Sequence, residues 1–385
     1  MKYNFDKIIN RRNTNSLKYD FAIERGKPAD ILPLWVADMD FPVPHEVLQD
    51  LQIAASHGIF GYTETKSDYD DAVINWFKKR FNYTVKPEEI VKTPGVVFAL
   101  AQMIRGFTQP EEGIIIQTPV YYPFYDIIED NNRKLVTNPL VLNNGKYSIN
   151  FADFEQKIVE NNVKMFIFCS PHNPVGRVWT KAELKKLSDI CERHNVLVIS
   201  DEIHCDFVFD GNAHTVFGEI NENAIIATAP SKTFNLAGLQ VSNIFIRNAE
   251  LRRKLKLEIH KSGYSQLNTL GLTACKSAYQ HGEEWVDQLN EYLFGNVTLV
   301  REFLAERLPK IKLIEPEGTY LLWLDFRELG QTQAELDDII TNKAKLWLSF
   351  GTVFGKDGEG FWRINIACPR EILKTALERL AAGLM

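Results

Sequence analysis

Between residues 113 and 247 the chain carries five short apolar runs: Gly113–Ile116, Met165–Cys169, Val196–Ser200, Ala224–Thr228 and Asn243–Arg247. They are rich in Ile, Val and Phe and contain almost no alternation of polar and apolar residues. Runs of this length and pattern suit strands buried on both faces. That demands a largely parallel sheet covered by helices above and below. The stretch after the second run is the clearest helix. Thr180 and Glu183 have the spacing of a capping box, and Leu184, Leu187, Ile190 and Cys191 then share one face. Strand, helix and strand within about thirty residues make a βαβ unit.

Beyond this core the pattern changes. Residues 283–308 read as one long amphipathic helix, with Trp285, Leu289, Tyr292, Val300 and Phe303 near one stripe. Strands are expected at Ile311–Ile314, Thr319–Phe326, Leu346–Phe350 and Phe361–Ala367. Helices should begin at Thr332, with Glu335 as its capping partner, and near Pro369. The first forty or so residues hold no long periodic segment and read as an arm. The expected division is an arm over 1–47 that joins a smaller domain, a large domain over 48–284, and the rest of the small α/β domain over 285–385.

Bulk properties narrow the function classes. A net charge of −6 over 385 residues, with no basic block interleaved with aromatics, argues against a nucleic-acid surface. No apolar run reaches the length of a membrane span. The opening MKYNFDKIINRRN places charges where a signal peptide needs an apolar core, so a cytoplasmic protein is expected. Five cysteines without CxxC spacing fit reduced, buried thiols. The eight histidines show no metal-binding spacing such as HExxH, so no metal site is expected.

Three local features carry chemistry. The run VLVIS ends in Asp201-Glu202-Ile203-His204, so a carboxylate stands at the C-terminal end of a buried strand, where α/β sheets bind ligands. The letters also spell a helicase DExH box, but no Gly-Lys pair continues with Ser or Thr, so the phosphate loop that box needs is missing. Past MFIFC comes Ser170-Pro171-His172-Asn173-Pro174. Its two prolines fix a turn able to hold the Asn173 amide rigidly. Lys232 follows the strand AIIAT with no acid nearby in sequence. A lone lysine is ordinarily a solvated surface residue, yet here Phe234, Leu236, Ala237 and Gly238 follow it. Desolvation favours the neutral amine, which is a nucleophile toward carbonyl compounds.

The combination is sharper than its parts. Pyridoxal phosphate needs a lysine for its aldehyde, an acid for its ring nitrogen and a hydrogen-bond donor for its ring oxygen. An arginine can grip an amino-acid carboxylate with two parallel N–H bonds. Arg363 suits that task, since the period of two in FWRINIA puts Phe361, Arg363 and Asn365 on one face. The amides of Val96 and Val97, at the start of the helix after Thr93-Pro94-Gly95, can bind a phosphate without any lysine.

PHNPVGR, SDEIH, SKTFNLAG and RINIACPR, in this order, resemble the fold-type I pyridoxal-phosphate enzymes of the class I/II aminotransferase group, along nearly the whole chain. The resemblance implies a three-layer large domain with a mostly parallel sheet and a smaller α/β domain. It implies Lys232 as the Schiff-base lysine, Asp201 as the pyridinium partner and Asn173 as the ring-oxygen ligand. Tyr121 would stack on the ring, with Tyr122 its neighbour in the sequence. Arg363 would clamp the carboxylate, and Ser231 would add a hydroxyl to the phosphate. Tyr62 matches a tyrosine contributed by a neighbouring subunit, so a homodimer with a shared active site is implied. Two departures stand out: His204 where many aminotransferases carry tyrosine, and Gln240 where many carry arginine. With LPLWVADMDFPVP at Leu32–Pro44, these features look like the cystathionine β-lyase, or C–S lyase, branch. A backbone amide near Val36–Ala37 would then help hold the substrate carboxylate. The implied activity is cleavage of L-cystathionine, with cysteine or cystine as further substrates, to thiol, pyruvate and ammonia. An aminotransferase on the same scaffold, or a lyase doubling as a regulator-binding protein, are the alternative readings.

Overall fold

The computed structural model describes residues 2–209 and 211–384. A seven-stranded sheet forms the centre. Its spatial order is Ile90–Thr93, Ser242–Phe245, Ile225–Thr228, Leu197–Asp201, Val163–Cys169, Gly113–Thr118 and Lys134–Pro139. All five expected apolar runs are strands of this sheet. Six strands run one way. Ser242–Phe245 is antiparallel to both of its neighbours, so the sheet is mostly rather than wholly parallel.

The sheet is buried on both faces because its side chains alternate between two apolar layers. Phe166, Phe168, Val198 and Ile226 pack with Leu184, Leu187 and Ile190 from the helix Lys181–Arg193. Met165, Ile167, Ile199 and Ile225 pack on the other side with Ala99, Leu100 and Met103 from the helix Val96–Phe107. Neither face meets water, which is why the strands read as continuous apolar runs. The Thr180–Glu183 capping box is formed as expected.

A second sheet is antiparallel and has four strands: Lys312–Ile314, Leu321–Asp325, Phe361–Asn365 and Ser349–Phe350. The long helix spans Glu283–Arg307, and the last helix spans Arg370–Leu384. The single strand expected over Leu346–Phe350 is divided. Leu346–Trp347 pairs instead with Leu32–Pro33, in parallel. The N-terminal arm is therefore tied into the C-terminal part. Its polar composition, which hides any periodicity, reflects buried ion pairs: Lys18 is fully buried, with Nζ 3.0 Å from Asp40.

Strand register fixes the functional geometry. Cys169 lies opposite Asp201, and Asp201 opposite Ala227. The segments that continue from these strand ends carry Asn173, His204 and Lys232. Three positions far apart in sequence thus emerge at one edge of one sheet.

Candidate active site

A cavity of about 500 Å³ opens at that edge. Asp201, Asn173, Lys232, Ser231, Tyr121, His204, Val96, Val97 and Ala37 all line it. The cavity thus gathers most of the expected residues. Tyr121 rather than Tyr122 faces it. Arg363 does not line it directly. It is buried behind Asn173, donating from Nη1 to Asn173 Oδ1 at 3.0 Å and from Nη2 to Trp35 O at 2.7 Å. Tyr62 is not brought to the cavity by its own chain, since it is 94% exposed.

The phosphate-sized end is built from backbone. The helix Val96–Phe107 is capped by Gly95 at φ 140°, and no side chain bonds its first turn. Among the described residues, the amides of Val96, Val97 and Phe98 donate to no acceptor. They are free donors at the positive end of the helix. Gly95 N is held by Ser242 Oγ at 3.1 Å, which anchors the turn.

Asp201 is the electrostatic centre. It is 4% exposed, and within the chain it accepts one hydrogen bond, from Ile203 N at 3.1 Å. No cation pairs with it among the described residues. Burial therefore pushes its carboxyl up to about 7, against a weaker opposing pull from Ile203 N and Lys232. Lys232 shows the mirror effect. Burial first, then the charge of Arg363, pulls its amine down to about 8. Its Nζ donates to Ala37 O at 2.9 Å. His204 is driven well below the ordinary range by burial and by Lys232 and Arg363, so its ring is neutral. Its Nδ1 is buried without a partner.

This donor set fits pyridoxal phosphate. A buried carboxylate without a cation suits a protonated ring nitrogen. A partly neutral amine suits an aldehyde, and the free amides of Val96, Val97 and Phe98 suit a phosphate. Tyr121 offers a ring face, and burial pushes its hydroxyl up to about 12, so it stays neutral.

The sequence matches the family described as Aminotransferase class I and II over residues 29–380. The chain belongs to that family. Cystathionine beta-lyase PatB of Bacillus subtilis is 41% identical over 385 residues, covering 99% of this chain and 100% of PatB. The PLP-containing crystal structure of cystalysin from Treponema denticola is 38% identical, with a TM-score of 0.96 over 100% of this chain and 99% of cystalysin. A PLP-bound structure from Clostridium difficile 630, provisionally described as an aminotransferase, is 40% identical. Its TM-score is 0.97, with both chains fully covered. Family membership explains why the site is assembled from the four motifs in this order.

Tyr320 was missed by sequence reasoning. It is fully buried, and its hydroxyl donates to Ala37 O at 3.0 Å, sharing that acceptor with Lys232. Nothing local in GTYLLW marks it, because its partner lies 283 residues away. Asn365 was placed on the face of Arg363 without a role. Its Nδ2 bonds both Val36 O and Asp38 O at 2.6 Å, bracketing Ala37.

Two measurements test the electrostatics. In the cofactor-free protein, labelling of Lys232 by an amine-specific acylating reagent, followed by mass spectrometry, should rise with pH and level off just above about 8. An ordinary lysine would keep rising toward 10.5. Asp201→Asn should stabilise the cofactor-free protein at pH 8. The raised carboxyl costs the wild type stability as pH climbs from 3.8 to about 7, on the order of 4 kcal/mol in all. Melting temperatures of the two proteins should therefore lie close together near pH 4, separate progressively up to about pH 7, and keep that separation at pH 8.

Proposed function

We propose that the protein is a pyridoxal-phosphate-dependent carbon–sulfur β-lyase that cleaves L-cystathionine to homocysteine, pyruvate and ammonia. The observation that carries this reading is the buried, cation-free Asp201 beside a partly neutral Lys232, on a chain 41% identical to a cystathionine β-lyase along its whole length. Cysteine and cystine present the same Cβ–S bond and are the further substrates.

Pyridoxal phosphate, when bound, supplies an aldehyde for the substrate amine and a ring that withdraws electrons from Cα. Asp201 would hold the ring nitrogen protonated, and its buried carboxylate would gain there the counter-charge it lacks among the described residues. Asn173 supports the ring oxygen, Tyr121 covers one ring face, and Val96, Val97 and Ser231 receive the phosphate. His204 adds a neutral contact that brings no further positive charge. Arg363 and Asn173 orient the substrate carboxylate, joined by the Ala37 amide. That amide has no acceptor among the described residues. Lys232, once its amine is free, removes the Cα proton as general base. The bond from Cβ to sulfur then breaks, the sulfur leaves with the electron pair and takes up a proton, and water completes the conversion to pyruvate and ammonia. Transamination needs the same groups. The lyase reading is favoured by relatives that bear lyase names over the full chain.

We also infer a cytoplasmic homodimer working on small amino acids rather than on nucleic acid or membranes. Ile59, Phe60 and Tyr62 are 72, 63 and 94% exposed, an apolar patch of the kind that marks an interface. No helix among the described residues is long and apolar enough to cross a membrane. The division into 1–47 with 285–385 as a small domain, and 48–284 as a large one, is supported by the seven-stranded sheet lying within 48–284, the four-stranded sheet within 285–385, and the pairing of Leu32–Pro33 with Leu346–Trp347.

The decisive assay is pyruvate and thiol release from L-cystathionine with no keto acid present. Release is expected from the wild type and should be lost in Lys232→Ala. Turnover only with an added keto-acid acceptor, and no thiol, would refute the lyase. Arg363→Ala should raise KM by about tenfold to a hundredfold, because the positive charge that stands behind Asn173 at the carboxylate end is lost. Steady-state kinetics on L-cystathionine would measure it.

A further inference from the structure

The motif LPLWVADMDF contributes more than Ala37, and the difference lies in its two acids. From Leu34 to Met39, every backbone carbonyl is taken. Asn365 N bonds Leu34 O at 2.9 Å, and Arg363 bonds Trp35 O. Asn365 Nδ2 bonds Val36 O and Asp38 O, while Lys232 and Tyr320 bond Ala37 O. Asn235 Nδ2 bonds Met39 O at 3.0 Å. The amides of Val36, Ala37 and Asp38, by contrast, donate to nothing among the described residues. The carbonyls of the segment are saturated while three successive amides are left as free donors, and Ala37 lies on the cavity wall.

The acids hold this arrangement from the other side. Asp38 and Asp40 alternate with Ala37 and Met39, so their side chains leave the segment together. Arg11, from the N-terminal arm, spans them. Its Nη2 donates to Asp38 Oδ2 at 2.6 Å, and its Nη1 to Asp40 Oδ1 at 2.8 Å and to Met39 O at 3.0 Å. Lys18 Nζ reaches Asp40 Oδ2 at 3.0 Å and lies 3.6 Å from Asp38 Oδ1, and Tyr19 donates to Asp40 Oδ2 at 2.9 Å. The arm turn itself is fixed by Asp20, which accepts from the amides of Asn13, Thr14 and Ser16. A fully buried lysine and a three-pronged arginine are a costly way to fasten a terminal arm if fastening were all they did.

We propose that Arg11 is a positioning residue for the substrate carboxylate: through Asp38, Asp40 and Met39 O it sets the peptide plane that offers the Ala37 N–H to the cavity. The turn around Arg11, Lys18 and Asp20 is thereby part of the substrate site, although none of these three residues lines the cavity. The assignment rests on the reading of the cavity as an amino-acid site.

The test uses cofactor-loaded wild type, Arg11→Ala, Arg11→Lys and Asp38→Asn. KM and kcat are measured on L-cystathionine. Affinities for L-alanine and for ethylamine, which lacks the carboxylate, are read from the visible absorbance of the bound cofactor. Arg11→Ala should raise KM and weaken L-alanine by about tenfold, with kcat within about twofold and ethylamine unchanged. Arg11→Lys should recover part of the loss, and Asp38→Asn should show the same split. Should Arg11→Ala fail to fold, the other two variants carry the comparison. Unchanged L-alanine affinity in variants that fold and hold the cofactor would overturn the assignment, as would an equal loss of both ligands. If the wild type binds the cofactor but releases no thiol, the lyase reading fails while the two-ligand comparison still decides the role of Arg11.

Discussion

A carboxylate buried without a counter-charge is the constraint from which the rest of this site follows. Asp201 ends a strand that is covered on both sides, so water cannot reach it from the sheet faces. Among the described residues it has one amide donor and no cation in contact. A fold that only needed stability would place an apolar residue there, since an isolated buried charge costs several kcal/mol. The arrangement makes physical sense only with a cationic ligand, and a protonated pyridine supplies a single positive charge in a flat, apolar ring. The same low dielectric that penalises Asp201 also pulls the Lys232 amine down to about 8. One environment thus produces both the anchor for the ring and a reactive amine.

The sheet solves the positioning problem that this chemistry poses. Parallel strands end at the same edge, so groups that follow them in sequence converge in space. Register then sets the spacing: Cys169 opposite Asp201 and Asp201 opposite Ala227 bring the Asn173 turn and the Lys232 turn to either side of the acid. The one antiparallel strand, Ser242–Phe245, has a role here too. Ser242 Oγ lies at its start, where it bonds Gly95 N and fixes the amides that face the phosphate end.

Residues whose place at the cavity depends on local context were legible in the sequence. Asp201, Asn173 and Lys232 each follow a recognisable apolar strand, and Val96 and Val97 open an apolar helix after a Pro-Gly turn. Their roles follow from where strands end and helices begin, and both are written in short patterns. Tyr320, Arg11 and Lys18 were not legible. Each works through a backbone carbonyl or an acid far away in the chain, and no local pattern encodes such a pairing. The way the arm is fastened was illegible for a related reason. Its charges have the pattern of a solvated segment, but Asp38 and Asp40 sit 20 to 29 residues downstream of Lys18 and Arg11 and neutralise them only after folding. Arg363 falls between these cases: its face was predictable, but its place behind Asn173 was not.

The two halves of the site accordingly differ in how they are built. The cofactor end is made by the central sheet and its helix starts, and it depends on contacts between segments that are neighbours in the topology. The proposed substrate end is built by the second sheet, through Arg363 and Asn365, together with the segment around Ala37 that Arg11 fastens. Asn173 and Lys232 join the two, since Asn173 bonds Arg363 and Lys232 bonds Ala37 O. Lys232 can leave that carbonyl without exposing it, because Tyr320 keeps the acceptor satisfied. A lysine that must carry an aldehyde at one stage and act as a base at another needs a resting acceptor that tolerates its departure. The shared Ala37 carbonyl meets that requirement within the folded chain.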